Sequence, residues 1–145
     1  MVNLSVPLID SGKQNLTLIN PILVASGTFS NGLEMSKHKH IDELGGIISK
    51  GTTIKPREGN DTPRLIETPS GLINSIGFQN IGAHKFIKEI VPIWQKWKVA
   101  TIVNIMGYTI QEYGILAELF DEINSIDALE VNVSSIDFPS ESTLP

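Results

Sequence analysis

No cysteine occurs in the 145 residues, which excludes a disulfide framework, a thiolate metal centre and a cysteine nucleophile within this chain. Positive charge is also scarce. Eleven Lys and Arg stand against sixteen Asp and Glu, a net charge of -5. Phosphate binding needs clustered positive charge, so neither a nucleic acid nor an anionic membrane is expected as a partner. No apolar run approaches the ~20 residues of a membrane span. The opening MVNLSVPLID lacks a basic segment followed by a long apolar one, so no targeting signal is read there and a cytoplasmic protein is expected.

What is present is an ordinary globular composition, 41% hydrophobic and 19% charged, at a length that suits one domain over residues 1–145. Two alternating runs, NLSVPLI and QNLTLI, flank the turn-like DSGK around Gly12, which predicts a β-hairpin over residues 1–20. PILVASGTF, GGIISKGTT, VATIVNIMG and DALEVNVSS are continuous apolar runs of the kind that form parallel sheets covered by helices. A short helix is predicted from Met35 to Leu44. Another runs from Ala83 to Trp97, with Phe86, Ile90, Ile93 and Trp97 on its buried stripe. A third starts behind Thr109, where Glu112 completes a capping-box pattern and Tyr113, Leu116, Leu119 and Phe120 face inward. Residues 53–82 are rich in Pro, Gly, Asn, Asp and charge around the extended pieces RLIET and LINSI. They form a long excursion, and excursions of that length are usually functional or mobile. The expected fold is α/β: an N-terminal β-hairpin followed by about half of a (β/α)8 barrel, a whole one needing roughly 250 residues.

Each of the barrel strands ends in small or polar residues: Ser26, Lys50, Asn104, and Asn132 with Ser134 and Ser135. Barrel sites are built from the C-terminal ends of the strands, so these endings can converge on one ligand. Lys50 reads either as a strand-end cation reaching solvent or as a ligand contact. Asn104 and Asn132 read either as satisfied interior amides or as ligand contacts, and their equivalent places in successive repeats favour the second. Glu130, alternating with Val131 and Val133, points inward, needs a partner and is read as structural. His38 and His40 of KHKH, and His84 near a helix start, read as solvated surface, so no metal site is expected. SGTFSNG and SKGTT can bring backbone N–H groups to a phosphate or a flavin, but no glycine spacing matches a dinucleotide fingerprint or a P-loop. Trp94 and Trp97 read as core packing.

Taken in order, NPILVASGTF, ISKGTT, PREGNDTPRLIETPSGLINSIGFQN, VNIMG and LEVNVS resemble the dihydroorotate dehydrogenases, most closely their class 1B form, over nearly all of residues 4–135. The resemblance implies an FMN-dependent (β/α)8 barrel that oxidises dihydroorotate to orotate in pyrimidine (UMP) biosynthesis. It also implies a partner, an iron-sulfur subunit carrying FAD that passes electrons to NAD. On this sequence it implies that Ala25, Ser26 and Gly27 lie against the FMN. Lys50 would bond the flavin and the substrate carboxylate, with Gly51 and Thr52 beside the ring. Asn104 would contact the FMN, and Asn132 both flavin and substrate. Asn74, Ile76, Gly77 and Phe78 would bind substrate from the excursion, which would cover it and keep water away.

The family's general base falls at Ser135, where class 1 members carry cysteine and class 2 members serine. A serine needs a neighbour or a water chain to take its proton. Ile136 and Asp137 replace the Pro-Asn that follows in the family, and residues 136–145 form a divergent tail. Barrel phosphate sites lie after strands seven and eight, outside the half that is matched. An open half-barrel exposes strand edges, so self-association or the missing barrel half is expected to cover them. Two alternatives stand beside this reading: a non-catalytic half-barrel remnant or assembly module, and a related FMN barrel such as a dihydropyrimidine dehydrogenase.

Overall fold

The continuous apolar runs converge on one parallel sheet in a computed structural model of the chain, which describes residues 2–10, 15–38 and 40–134. In chain order the strands are β1 (Val6–Asp10), β2 (Asn15–Leu18), β3 (Leu23–Val24), β4 (Gly46–Ile48), β5 (Leu65–Thr68), β6 (Gly71–Asn74), β7 (Ala100–Ile105) and β8 (Ala128–Val131). The helices are α1 (Ala83–Glu89), α2 (Val91–Trp94) and α3 (Ile110–Asp121). β1 and β2 pair antiparallel with a register shift between Pro7 and Ile9, beside a proline that brings no N–H to the ladder. β3, β4, β7 and β8 follow one another as parallel neighbours, the unbroken succession of a barrel wall. β5 and β6 form a separate antiparallel hairpin inside the excursion.

Strand alternation divides the sheet into two faces. Val103 and Ile105 of β7 and Leu129 of β8 pack against Phe86, Ile90, Trp94, Leu116 and Phe120 from the helices. Asn104 and Glu130 therefore fall on the opposite face, which in a barrel is the interior. The Phe86 ring is the centre of the helical layer, meeting Trp94 edge-on at 5.2 Å and Phe120 at 5.8 Å between centroids. Such edge-to-face pairs add to the burial of the rings themselves.

Two helices differ from expectation. The stretch from Ala83 to Trp97 is interrupted at Ile90, because Pro92 lacks an N–H and its ring conflicts with the carbonyl four residues back. The interruption turns Trp94 fully inward in place of Ile93, and its Nε1 donates to the Asn31 carbonyl at 3.0 Å. Met35 to Leu44 forms two 3₁₀ segments, Met35–His38 and Ile41–Glu43, with Ile41 buried in the second. A stretch with one such inward anchor gains too little from packing to offset the cost of nucleating an α-helix. At α3, the Glu112 N–H donates to Thr109 Oγ1 at 3.2 Å, as the capping pattern requires. The return bond from the Glu112 carboxylate goes to the Tyr108 N–H at 2.6 Å, one residue before the cap.

Phe120→Ala is expected to lower stability by about 3–5 kcal/mol, because the buried ring leaves a cavity beside Phe86. Urea denaturation of the two chains measures this, and a loss under about 1 kcal/mol would contradict the central place of that layer.

Candidate functional site

The site begins with a slip in the sheet. From Ile48 to Thr52 the chain after β4 advances four residues, while β7 advances three from Ile102 to Ile105. One extra residue is thus accommodated at Lys50–Gly51, the signature of a β-bulge, which re-aims a side chain at a strand end. Ser49 bridges the irregularity: its N–H donates to the Ile102 carbonyl, its Oγ accepts from the Asn104 N–H at 2.9 Å, and it donates to the Lys50 carbonyl at 3.0 Å. The Thr52 N–H donates to the Asn104 carbonyl at 2.9 Å, and the ladder resumes. The Lys50 N–H is freed from the ladder to donate to the Ser30 carbonyl at 2.9 Å, tying down the loop after β3.

These strand ends wall a cleft of about 560 Å³. It brings together Ser26, Gly27, Lys50, Gly51, Asn74, Ile76, Phe78, Asn104 and Asn132. Other expected residues lie elsewhere. Ala25 is exposed just before Ser26, and its carbonyl accepts from the Thr28 hydroxyl at 2.7 Å. Thr52 is buried behind Lys50, its hydroxyl bonded to the Lys50 carbonyl at 3.1 Å, and it lines a neighbouring cleft of about 800 Å³. Gly77 is buried within the excursion at φ 71°, where a Cβ would collide with Asn60. Ser135 and the tail from Ile136 lie outside the described residues. Among the described residues no cluster of His, Asp and Glu could hold a metal, and no helix is long and apolar enough to cross a membrane.

Within the cleft, Asn104 Nδ2 donates to Glu130 Oε1 at 2.5 Å. Asn104 Oδ1 is buried and has no partner. Gly51 lies against it: a Cβ on residue 51 would sit 3.1 Å from that oxygen and 3.4 Å from the Phe78 ring. Asn132 is anchored from both sides, its N–H donating to the Ile105 carbonyl at 3.0 Å and its own carbonyl accepting from the Tyr113 hydroxyl on α3.

The excursion is stitched over this cleft. The Arg57 and Asn80 backbones bond each other in both directions, closing its base. The Asn80 side chain accepts from the Thr53 and Gly82 N–H groups and donates to the Thr53 hydroxyl and the Phe78 carbonyl. The Arg57 guanidinium lies 5.2 Å from the Tyr108 ring centroid and 6.0 Å from that of Phe78. Arg64 donates to the Glu58 carbonyl at 2.9 Å, to Gln79 Oε1 at 3.0 Å and to the Asn60 carbonyl. Burial, and then the Arg64 charge, push the Lys50 ammonium pKa below its ordinary value of 10.5. The ion pairs among the described residues are the exposed His40–Glu43 and Lys85–Glu89, so Lys50 meets no carboxylate there. The cleft thus combines the Lys50 cation with the amides of Asn74, Asn104 and Asn132.

Glu130, Arg64 and Ser49 belong to this arrangement although motif reading singled out none of them as functional. The alternation of Glu130 with Val131 and Val133 was the available signal for the first. Nothing local distinguishes the other two, because their roles come from the register slip and the fold of the excursion.

Residues 9–144 match the family described as dihydroorotate dehydrogenase. The catalytic subunit of dihydroorotate dehydrogenase B (NAD(+)) from Desulforamulus reducens is 53% identical over 119 residues, which cover 82% of this chain and 39% of that protein. The subunit of the same name from Thermodesulfovibrio yellowstonii is 47% identical over 135 residues, covering 93% of this chain and 45% of that protein. The chain thus spans less than half the length of these curated relatives. A crystal structure of the dihydroorotate dehydrogenase of Eimeria tenella in complex with ferulenol superposes with a TM-score of 0.65 at 22% identity, over 93% of this chain and 38% of that one. That likeness establishes the barrel fold. With the family matched over almost its whole length, the chain belongs to the dihydroorotate dehydrogenase family.

Proposed function

We propose that the chain supplies the flavin-facing wall and part of the substrate clamp of an FMN-dependent dihydroorotate dehydrogenase of the B type, which oxidises dihydroorotate to orotate in pyrimidine biosynthesis as part of a longer catalytic chain. The observation that carries this reading is the convergence of Lys50, Asn74, Asn104 and Asn132, from three strand ends and the excursion, on one cleft beside Ser26 and Gly27. A flat heterocycle with both N–H and C=O groups on its edge fits there, and FMN is one. Bound FMN supplies the acceptor for the hydride leaving the dihydropyrimidine.

The chain's own groups do the rest. Lys50, lacking a carboxylate partner, neutralises the substrate carboxylate in a site where water is scarce. Asn74 and Asn132 each offer a donor and an acceptor to the alternating C=O and N–H edge of the pyrimidine. Phe78, Ile76 and the hairpin beyond them screen the reacting carbons from solvent. Ser135 holds the position of the base, taking the proton from the carbon next to the hydride donor and passing it to a neighbour or water. The relatives' names, a catalytic subunit of an NAD(+) enzyme, support a separate electron-transfer subunit as partner, with iron-sulfur and FAD centres. The setting proposed is cytoplasmic.

The purified chain mixed with FMN is expected to elute yellow from gel filtration, and Asn104→Ala to retain far less flavin; colourless wild-type protein would overturn the FMN reading. Orotate binding is expected to weaken with rising pH. An anion favours charged Lys50, so affinity is full below the lowered Lys50 pKa and falls as pH rises through it, at a value under 10.5. Lys50→Met should bind orotate at least about tenfold more weakly, without this pH dependence. A wild-type affinity that stays flat as pH rises through 10.5 would contradict the assignment of the carboxylate to Lys50.

A further inference from the structure

We infer that Tyr113 is a positioning residue whose hydroxyl carries the β7–β8 ladder one step past the end of β7 and so fixes Asn132, with the turn that follows it, at the rim of the cleft. The inference rests on the reading above for what Asn132 meets there. Paired register between the two strands stops at Ile105 and Val131. In a parallel ladder a residue donates its N–H to one residue of the neighbouring strand and accepts at its carbonyl from the residue two further on. Asn132 makes the first of these bonds, its N–H donating to the Ile105 carbonyl at 3.0 Å. The regular donor to its carbonyl would be Gly107, but β7 has ended at Ile105, and the Tyr113 hydroxyl donates there instead.

The hydroxyl is aimed by the way α3 starts. A Cβ on residue 107 would sit 2.9 Å from Glu112 Cβ and 3.1 Å from the Tyr113 nitrogen, so the loop leaving β7 lies directly against the first turn of the helix. The Thr109 cap and the bond from the Tyr108 N–H to the Glu112 carboxylate hold that turn in place. The Tyr113 ring packs against the cluster of Phe86, Leu116 and Phe120, which leaves its hydroxyl as the part that reaches β8. Beyond the strand, Asn132 Oδ1 accepts from the Ser134 N–H at 3.3 Å, an Asx-type turn that ties the side chain to the backbone after it. Among the described residues β8 is the last strand of its sheet, paired with β7 alone. Tyr113 therefore supplies, from the helical layer, a restraint on Asn132 that no second neighbouring strand provides.

Hydrogen exchange in the ¹⁵N-labelled chain tests this without a ligand. Tyr113→Phe keeps the packed ring and removes one oxygen, so the Asn132 and Ser134 amides should exchange at least about tenfold faster, while the Val103 and Asn104 amides and the urea midpoint stay as in the wild type. A hydroxyl with a merely structural role would lower the urea midpoint and speed all of these amides together. That outcome, or unchanged exchange at Asn132 and Ser134, overturns the inference. Orotate should bind Tyr113→Phe at least about fivefold more weakly than the wild type, because a displaced Asn132 no longer meets it in register. Equal affinity of the two chains overturns the positioning role and leaves the proposed function standing. A wild-type chain that binds no orotate overturns the substrate reading of the cleft instead, and the exchange rates alone then decide the role of Tyr113. Should Tyr113→Phe fail to fold, Gly107→Ala, which pushes the first turn of α3 away from β7 with the hydroxyl intact, is expected to speed the same two amides, and unmoved rates overturn the inference.

Discussion

Everything at the cleft depends on the one-residue slip between β4 and β7. A regular parallel ladder would engage both the Lys50 and Gly51 backbones and carry the strand past Asn104 in step. With one residue extra, Ser49 Oγ takes the place of a carbonyl for the Asn104 N–H, and Thr52 resumes the pairing on the far side. The backbone of Asn104 is clamped while the bulged residues are free: Lys50 reaches across to Ser30, and Gly51 stands bare over the Asn104 amide. A rigid amide and an uncompensated cation thus arise from one irregularity, which is how a sheet built for packing acquires a polar site at its rim.

Electrostatics at the rim follow from what the excursion brings with it. Arg64 is spent on backbone carbonyls and Gln79, so it holds the excursion closed while adding positive charge near Lys50 without neutralising it. Burial first, and then the nearby Arg64 charge, make the Lys50 ammonium easier to deprotonate than a free lysine. Glu130 is the carboxylate on this wall, and it is turned to the Asn104 amide instead of to Lys50. Fastening of the excursion at Arg57 and Asn80 keeps Phe78 and Asn74 at the mouth of the cleft.

Much of the fold was legible because it follows from patterns local in the chain. Continuous apolar runs mark parallel strands, and Thr109 with Glu112 marks the start of α3. The break at Ile90 is written in Pro92, while the apolar periodicity around it is that of one continuous helix. The convergence of strand endings was legible from barrel geometry, and the roles proposed for Lys50, Asn74 and Asn132 rest on family resemblance. The slip at Lys50–Gly51 was not legible: register is a relation between two strands distant in sequence, and SKGTT reads equally well with or without it. Glu130 was seen to point inward but read as structural, since its partner, Asn104, is defined by the β7–β8 pairing.

The most direct test of whether these strand ends form the ligand face is the pattern of amide chemical-shift changes when FMN is added to the ¹⁵N-labelled chain. Changes concentrated at Ser26, Lys50, Gly51, Asn104 and Asn132, with β1, β2 and the outer face of α3 unmoved, are expected. Changes centred instead on Lys55, His84 and Lys85, in the neighbouring cleft, would contradict the assignment.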